Sequence, residues 1–287
     1  MPELPEVETM RRGVLPVVGS RITAAERPVC HLRPILLRPR IDAFDRRVRD
    51  KTITAIERRG KRVLIVLNDQ QMIVIEPRMT GLVLLADPPN QEHLRLRLKL
   101  SRGTNRQLLF WDRRGLGTVR LLRPAEVSRL VDARLGPDAL AITAGQLREQ
   151  LKGSKRAVKV ALLDQAIVAG IGNLYAAEIL FVAGIDPRTR CDRLTQAQWS
   201  RIQAATLLVL EEAIRHEGST LSDGTYRNAL NQAGGYQNCH RVYNRAREAC
   251  PRCETGVIRR IVQAQRSTFF CPVCQRKRGI HASIAVD

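Results

Sequence analysis

Hydrophobic and polar positions along the chain change period near its middle. Glu6 to Leu15 repeats at a helical period that stops near Pro16. The period then shortens. Arg62-Val63-Leu64-Ile65-Val66-Leu67, Met72-Ile73-Val74-Ile75 and Gln107-Leu108-Leu109-Phe110-Trp111 are apolar runs of strand length. Leu94 to Leu100 alternates leucine with basic residues, which predicts a strand with one wet face. Asn68-Asp69 and Arg102-Gly103 supply turns. Roughly the first 125 residues are therefore expected to be mostly β behind one leading helix.

The second half returns to the helical period. Val158 to Ala169 is expected to be a helix, broken by Gly170-Ile171-Gly172-Asn173. Leu174 to Ala183 resumes it and closes at Gly184. Thr195, with Gln198 three residues on, forms a capping box that opens a longer helix. Trp199, Ile202, Leu210, Ala213 and Ile214 make its apolar face, and Gly218 takes the C′ position. From Gly234 onward the chain is polar and basic, with little to build a core. No internal repeat or low-complexity tract is present.

Charge narrows the choice of partner. The chain of 287 residues is long enough for two compact domains and a small appendage. It carries 48 Lys and Arg against 28 Asp and Glu, a net charge of +20. So large a surplus favours a polyanion, because neutralised phosphates release condensed counterions. No basic amphipathic segment and no apolar run of spanning length point to a membrane. The acidic, proline-rich start is unlike a signal peptide, so a cytoplasmic, nucleoid-associated protein with reduced thiols is expected. A monomer is the default expectation.

Seven cysteines, an odd and scattered number, are no disulfide framework. Four of them fall as Cys250-x2-Cys253, 17 residues, then Cys271-x2-Cys274. That spacing predicts one structural zinc ion: four thiolates close the tetrahedron and leave no place for water. The intervening residues can form a hairpin, and the last fifty residues could hardly fold alone without such a staple. Arg252, Arg259, Arg260, Arg266, Arg276, Lys277 and Arg278 make this finger basic, as a nucleic-acid contact would be. Cys30, Cys191 and Cys239 are expected to be buried and inert, and His240 beside Cys239 to be a coincidental neighbour.

Two further segments carry candidate chemistry. The Gly170–Asn173 turn can aim backbone N–H groups at an anion, with Asn173 as N-cap and phosphate donor. Lys155, Arg156 and Lys159 lie just upstream. At the other end, loss of Met1 would leave Pro2 with a secondary amine. An α-amino group has a pKa of about 7.7–8.0, so part of it is a neutral nucleophile in the cell. Attack on a sugar C1′ would give an iminium, an electron sink for eliminating phosphates. Glu3 could move protons and Glu6 could orient the amine. On these residues alone, a proline-rich helix entry is the simpler reading.

The whole string Met1-Pro2-Glu3-Leu4-Pro5-Glu6-Val7-Glu8-Thr9 resembles the start of the formamidopyrimidine-DNA glycosylases. Arg58-Arg59-Gly60-Lys61-Arg62 resembles their lysine-bearing β-turn, and Gly170 to Ala176 their helix-two-turn-helix. Gln265 to Cys271 is similar to the arginine segment of their zinc finger. The resemblance runs the length of the chain. It implies an α+β fold with three parts. An N-terminal helix plus catalytic β-sandwich domain spans 1–130, a helical helix-two-turn-helix DNA-binding domain 131–237, and a four-cysteine zinc finger with its tail 238–287. Double-stranded DNA holding an oxidised base or an abasic site would lie in the cleft between the domains, the damaged nucleotide flipped out. Pro2 would be the nucleophile, with Glu3, Glu6, Lys61 and Arg266 completing the catalytic set. The candidate DNA contacts are Met79, His93, Arg114, Leu116, Lys155, Lys159, Asn173 and Tyr243. The implied activity is removal of oxidised purines by a glycosylase and abasic-site lyase, through a Pro2 Schiff base and β,δ-elimination.

Some positions depart from the family pattern. Leu116 stands where phenylalanine is usual among the residues that fill the void left by the flipped base, and Gly115 where a basic residue is usual. Glu76-Pro77-Arg78 replaces a more typical His-Leu-Gly, and Asn244 replaces a glycine. One extra residue lies between the CxxC pairs, which predicts a bulged hairpin. Two other readings remain at this point: an endonuclease VIII-like enzyme for oxidised pyrimidines, and a non-catalytic zinc-finger binder of damaged DNA. Leu4 and the polar loop 219–237, which could cover a flipped purine, favour the purine enzyme. A zinc ribbon that binds RNA lacks a stacking platform, with aromatics only 4% of the chain.

Overall fold

The computed structural model describes residues 2–221 and 224–276. Among them, 2–138 with 211–239 form one compact unit, and 139–210 with 240–276 form a second. The stretch 131–237 is thus not a single body: its last part belongs with the N-terminal residues. Met1, Lys277, Arg278 and the 279–287 tail lie outside the described residues, as do positions 222 and 223 of the polar loop.

The first unit begins with α1 (Leu4–Gly13), β1 (Arg21–Glu26), β2 (Leu36–Arg38), α2 (Ile41–Val48), β3 (Ile53–Arg59) and β4 (Arg62–Leu67). It continues with β5 (Met72–Glu76), β6 (Gly81–Leu84), β7 (Leu94–Ser101), β8 (Gln107–Asp112), β9 (Thr118–Leu122) and α3 (Pro124–Leu130). One sheet has the order β1-β7-β8-β6 and the other β2-β9-β5-β4-β3. The described pairings are antiparallel apart from β2 with β9. A single apolar cluster takes Leu82, Leu96, Leu98 and Phe110 from one sheet and Val63, Ile65, Ile73 and Ile75 from the other. This is the β-sandwich, and Val7 and Met10 of α1, with Val14 at its C-cap, pack into the same cluster. Leu64, Val74 and Leu122 point to the opposite face, where Val127 and Val131 cover them. Burial on both faces explains why β4 and β5 are continuous apolar runs in the sequence.

Strand β7 has the expected wetter face at half-buried Arg97 and exposed Lys99, with one exception. Arg95 is buried, because its guanidinium finds partners inside: Nε donates to Asp112 O at 2.8 Å and Nη1 lies 2.5 Å from Cys30 Sγ. Cys30 and Cys239 are half-exposed, and of the three unpaired cysteines only Cys191 is buried as expected. Burial pushes the Cys191 thiol up to about 11, which keeps it protonated and inert.

The second unit contains α4 (Ala144–Leu151), α5 (Val158–Leu162), α6 (Asn173–Ala183), most of α7 (Gln196–Arg215), and the hairpin β10 (Arg259–Gln263) and β11 (Arg266–Phe270). Helix α5 stops seven residues short of Ala169. Asp164 and Gln165 compete with the helix for backbone partners. Asp164 Oδ1 accepts from Ala166 N at 3.1 Å, and Gln165 bonds Leu163 O, Ile171 O and Gly170 N. Helix α7 starts with the expected box, Gln198 Oε1 accepting from Thr195 N at 2.9 Å. Its end differs by one residue. Glu217 adopts the left-handed C′ conformation at φ 57°, and Gly218 follows as C″, donating to Ala213 O at 2.8 Å. The C-terminal residues do build a small core. Val242, Ile258 and Phe269 cluster with Ala177 and Phe181 of α6. The finger hairpin pairs from Arg259↔Phe270 to Gln263↔Arg266 without a register shift, so the extra residue is not a bulge in this ladder.

Candidate functional site

In the first unit, Pro2 and Glu3 are buried at the entry to α1. Glu3 is the N-cap and Glu6 its partner in a capping box. The Glu6 carboxylate does more than cap. Oε2 accepts from Glu3 N at 2.8 Å, and Oε1 accepts from Ser219 N at 2.9 Å. The 218–219 backbone approaches so closely because Gly218 has no side chain: a Cβ there would meet Glu6 Cγ and Oε1 at 2.9 Å. Glu6 thus positions the backbone beside Pro2, and Gly218 serves this close approach more than the ending of α7. Farther along, Tyr226 and Ala229 join the core of this unit, so much of the polar loop is packed in place.

The same helix is tied to the Lys61 turn. Glu8 receives Arg11, Arg12 and Arg58. Burial would raise the Glu8 carboxyl, but the hydrogen bonds and charges of these arginines outweigh it and bring it down to about 2. Arg58 also grips Asp138 with both terminal nitrogens and donates to Gly60 O at 3.1 Å. Gly60 turns at φ 55°, setting half-buried Lys61 between β3 and β4. A buried acid–arginine chain therefore fixes the candidate nucleophile's helix against the candidate lysine's turn.

Met79 and Arg114 are exposed at two neighbouring loops of this unit, and Leu116 is half-buried. Gly115 has a physical cause. It sits at φ 62°, and a Cβ would lie 2.1 Å from Arg33 O, so the basic residue usual there has no room. Glu76 pairs with Arg62 and Arg78, replacing the missing histidine by an ion cluster. His93 is buried with its ring edge-on to Trp111, centroids 5.4 Å apart, which leaves little of it for direct contact.

In the second unit, Lys159 is a correction. It is wholly buried and cannot touch DNA directly. Its Nζ donates to Asn173 Oδ1 at 2.5 Å, Ser267 O at 3.2 Å and Thr268 Oγ1 at 2.7 Å. Asn173 Nδ2 donates to Ser267 O at 3.1 Å. Asn173 is the first helical residue of α6, and Gly172 is the N-cap. The Asn173 side chain faces the finger because Lys159 and Ser267 hold it there. Together they brace the exposed Arg266 turn onto the helical turn. Lys155 is exposed. Tyr243 is half-buried between His240 and Phe269 rings, at 5.7 and 5.3 Å, and its N–H donates to Glu178 Oε1 at 2.8 Å. Asn244 has φ 61°, the left-handed backbone that glycine usually fills and asparagine tolerates best among the rest. Arg252 lies over the Phe181 ring at 4.4 Å and donates to Val182 O, so it anchors the finger to α6.

Cys250, Cys253, Cys271 and Cys274 place their sulfurs within 4.8 Å of one another. The Cys250–Cys274 and Cys253–Cys271 separations are 3.7 and 3.8 Å. Four thiolates at about 2.3 Å from a tetrahedral zinc lie about 3.8 Å apart, so the donor set fits one structural zinc ion. Gly256 makes the fit possible: a Cβ there would come within 2.6 Å of Cys271 Sγ. No second such cluster occurs among the described residues.

Asp112, Thr80, Arg95 and Glu178, whose hydrogen bonds hold segments that carry candidate contacts, do not stand out in the sequence. Asp112 had one signal, an acid ending the apolar run Leu108–Trp111. Glu178, likewise buried, accepts from Arg241, Val242 and Tyr243 N–H groups, and burial pushes its carboxyl up.

The sequence matches the formamidopyrimidine-DNA glycosylase N-terminal domain over residues 1–119, the H2TH domain of that enzyme over 135–225, and the zinc finger found in FPG and IleRS over 247–276. It is 40% identical to the formamidopyrimidine-DNA glycosylase of Chloroflexus aurantiacus, covering 96% of this chain and 98% of that one. The Bacillus subtilis enzyme is 38% identical, covering 97% of this chain and 100% of its own. An FPG mutant from Lactococcus lactis, solved in complex with a Fapy-dG containing DNA, superposes with a TM-score of 0.86 at 33% identity, covering 96% of this chain and 100% of that one. With its sandwich, helical turn and four-cysteine finger in the same order, the chain belongs to the formamidopyrimidine-DNA glycosylase family.

Proposed function

We propose that this chain is a base-excision-repair glycosylase and abasic-site lyase for oxidised purines, acting through a Schiff base on Pro2. Solved relatives hold Fapy-dG, carbocyclic 8-oxo-G or an abasic site in DNA, which supports the substrate class. The observation that carries the reading is the Glu6 clamp, which fixes a buried Pro2-Glu3 at the head of α1.

In the proposed reaction the Pro2 nitrogen attacks C1′ and the C1′–N bond to the base breaks, the base leaving with a proton. Glu3 protonates O4′ as the sugar opens, giving the iminium. Loss of a C2′ proton then expels the 3′ phosphate, and a second elimination expels the 5′ phosphate. Water hydrolyses the conjugated iminium and frees Pro2, leaving a one-nucleotide gap with phosphates at both ends. Lys61 and Arg266 hold the backbone phosphates and neutralise charge as each leaves. Asn173 and Lys155 add phosphate contacts, and Met79, Arg114 and Leu116 fill the void.

Borohydride trapping on a duplex with 8-oxoguanine opposite cytosine tests this. The expected product is a covalent adduct whose mass maps to Pro2. An adduct on a lysine would move the nucleophile, and an adduct formed only on thymine glycol would shift the substrate to pyrimidines. Tight binding with no adduct on any lesion would leave a non-catalytic binder.

Leucine stacks less well than an aromatic ring, so Leu116 should relax discrimination of the opposite base. Leu116→Phe is expected to widen the ratio of excision rates opposite cytosine and adenine by about threefold to tenfold. Single-turnover rates on both duplexes check this, and an unchanged ratio removes the idea.

A further inference from the structure

We infer that Asp112 and Thr80 lock the two void-filling loops into one wedge, and that this lock controls lesion extrusion and opposite-base discrimination. The inference rests on the reading that Met79, Arg114 and Leu116 enter the DNA.

Asp112 is 0% exposed and Thr80 3%. Asp112 Oδ1 accepts from Thr80 Oγ1 at 2.5 Å and from Arg114 N at 3.2 Å, and Oδ2 accepts from Gly117 N at 2.7 Å. Thr80 Oγ1 in turn accepts from Arg114 N at 3.0 Å. Asp112 N donates to His93 O at 2.9 Å, and Asp112 O accepts from Arg95 Nε at 2.8 Å. Every donor to this carboxylate thus comes from a residue that is, or adjoins, a candidate DNA contact: Thr80 follows Met79, Arg114 gives its own N–H, and Gly117 follows Leu116. The space is shaped for it, since a Cβ on Gly117 would lie 3.1 Å from Asp112 Oδ2.

A buried carboxylate is costly unless its acceptor sites are filled. A neutral asparagine or serine could close one turn at lower cost. The charge has a use where several donors on separate segments must be held stiffly, because charge-assisted hydrogen bonds are the stronger ones. A wedge that keeps bases apart needs that stiffness. If the Met79 loop and the Arg114–Leu116 loop yielded independently, the duplex could restack against either.

The test uses Thr80→Val, which keeps shape and removes the hydroxyl, and Asp112→Asn, which keeps volume and removes the charge. Excision of 8-oxoguanine opposite cytosine and adenine is measured in single turnover, beside strand cleavage at a preformed abasic site, which has no base to extrude. A 2-aminopurine opposite the lesion reports wedge insertion. Both variants are expected to slow excision about tenfold, and to slow abasic cleavage less. The cytosine-to-adenine ratio should narrow, the fluorescence rise should shrink, and Thr80→Ser should restore all three. In a Met79→Ala, Arg114→Ala background, Thr80→Val should add nothing. Equal losses on both substrates with unchanged fluorescence, or full additivity, would overturn the lock. If the Met79→Ala, Arg114→Ala protein excises normally, the void-filling reading itself has failed, and the lock with it. Should Asp112→Asn not fold, the Thr80→Val and Thr80→Ser pair decides alone.

Discussion

A chain that keeps one residue ahead of Pro2 is expected to lose strand cleavage by on the order of a thousandfold or more. The reason is electronic before it is steric. As an amide, the Pro2 nitrogen delocalises its lone pair into the carbonyl and has none to give to C1′. The residual rate would come from binding and phosphate neutralisation. Lesion binding should fall far less, because Lys61 and Arg266 are untouched. The measurement is single-turnover cleavage of a lesion duplex by two preparations, their N-termini read by mass spectrometry. Equal rates would take the nucleophile's role away from Pro2. Glu3→Gln gives the contrasting pattern: it leaves the amine intact, so it should slow ring opening, and with it borohydride trapping on a lesion, while a preformed abasic site, which already presents some open-chain aldehyde, is still trapped.

Removal of the metal is expected to weaken DNA binding at least a hundredfold and to melt the finger. Zinc binding in finger peptides contributes about 10–16 kcal/mol of folding free energy, far more than the few apolar side chains around Phe269 can supply. Loss of the finger also reaches its neighbours. Lys159 would lose Ser267 O and Thr268 Oγ1, leaving a buried ammonium short of acceptors, a strongly destabilising state. Arg266 would lose its platform and Asn173 one of its braces. Chelation or Cys271→Ser, followed by metal quantitation, circular dichroism and a salt series of binding constants, checks this. The slope of affinity against salt should fall as phosphate contacts disappear. A metal-free chain with full affinity and unchanged slope would remove the finger from the interface.

Much of the fold was legible in the sequence because burial on both faces or on one stripe leaves a plain period. β4, β5 and β8 are apolar runs, and the apolar face of α7 was readable residue by residue. β1 and β3 were not, since Arg21-Ile22-Thr23-Ala24 and Ile53-Thr54-Ala55-Ile56 carry too few apolar positions to show alternation. Helix α2 begins at Ile41, and its N-cap Arg40 makes no side-chain cap to announce it. The expected helix overran α5 for a different cause: an apolar pattern continues through Ile167 and Val168 while Asp164 and Gln165 redirect the backbone. At the candidate site, residues with a chemical signature could be proposed from sequence, and the residues that hold them in place could not. Lys159 shows why. A lysine near a glycine turn invites a phosphate, and only the fold reveals that three protein oxygens already surround its ammonium. Asp112 and Glu178 are unreadable for the same reason, because their donors are largely backbone N–H groups that leave no mark in side-chain type.

The clamp between Glu6 and Ser219 has a consequence for the chain's birth on the ribosome. The two partners are 213 positions apart, and the unit they close is discontinuous in sequence. Domains are generally made N-terminal end first, at about 5–20 residues per second. The Pro2 end therefore emerges early but waits until synthesis has passed Ser219 for the contact that fixes it. A nascent or truncated chain can fold much of its sandwich and still lack an aligned terminus. The proposed nucleophile is thereby left without its full scaffold until most of the protein, including the helical turn, has been made.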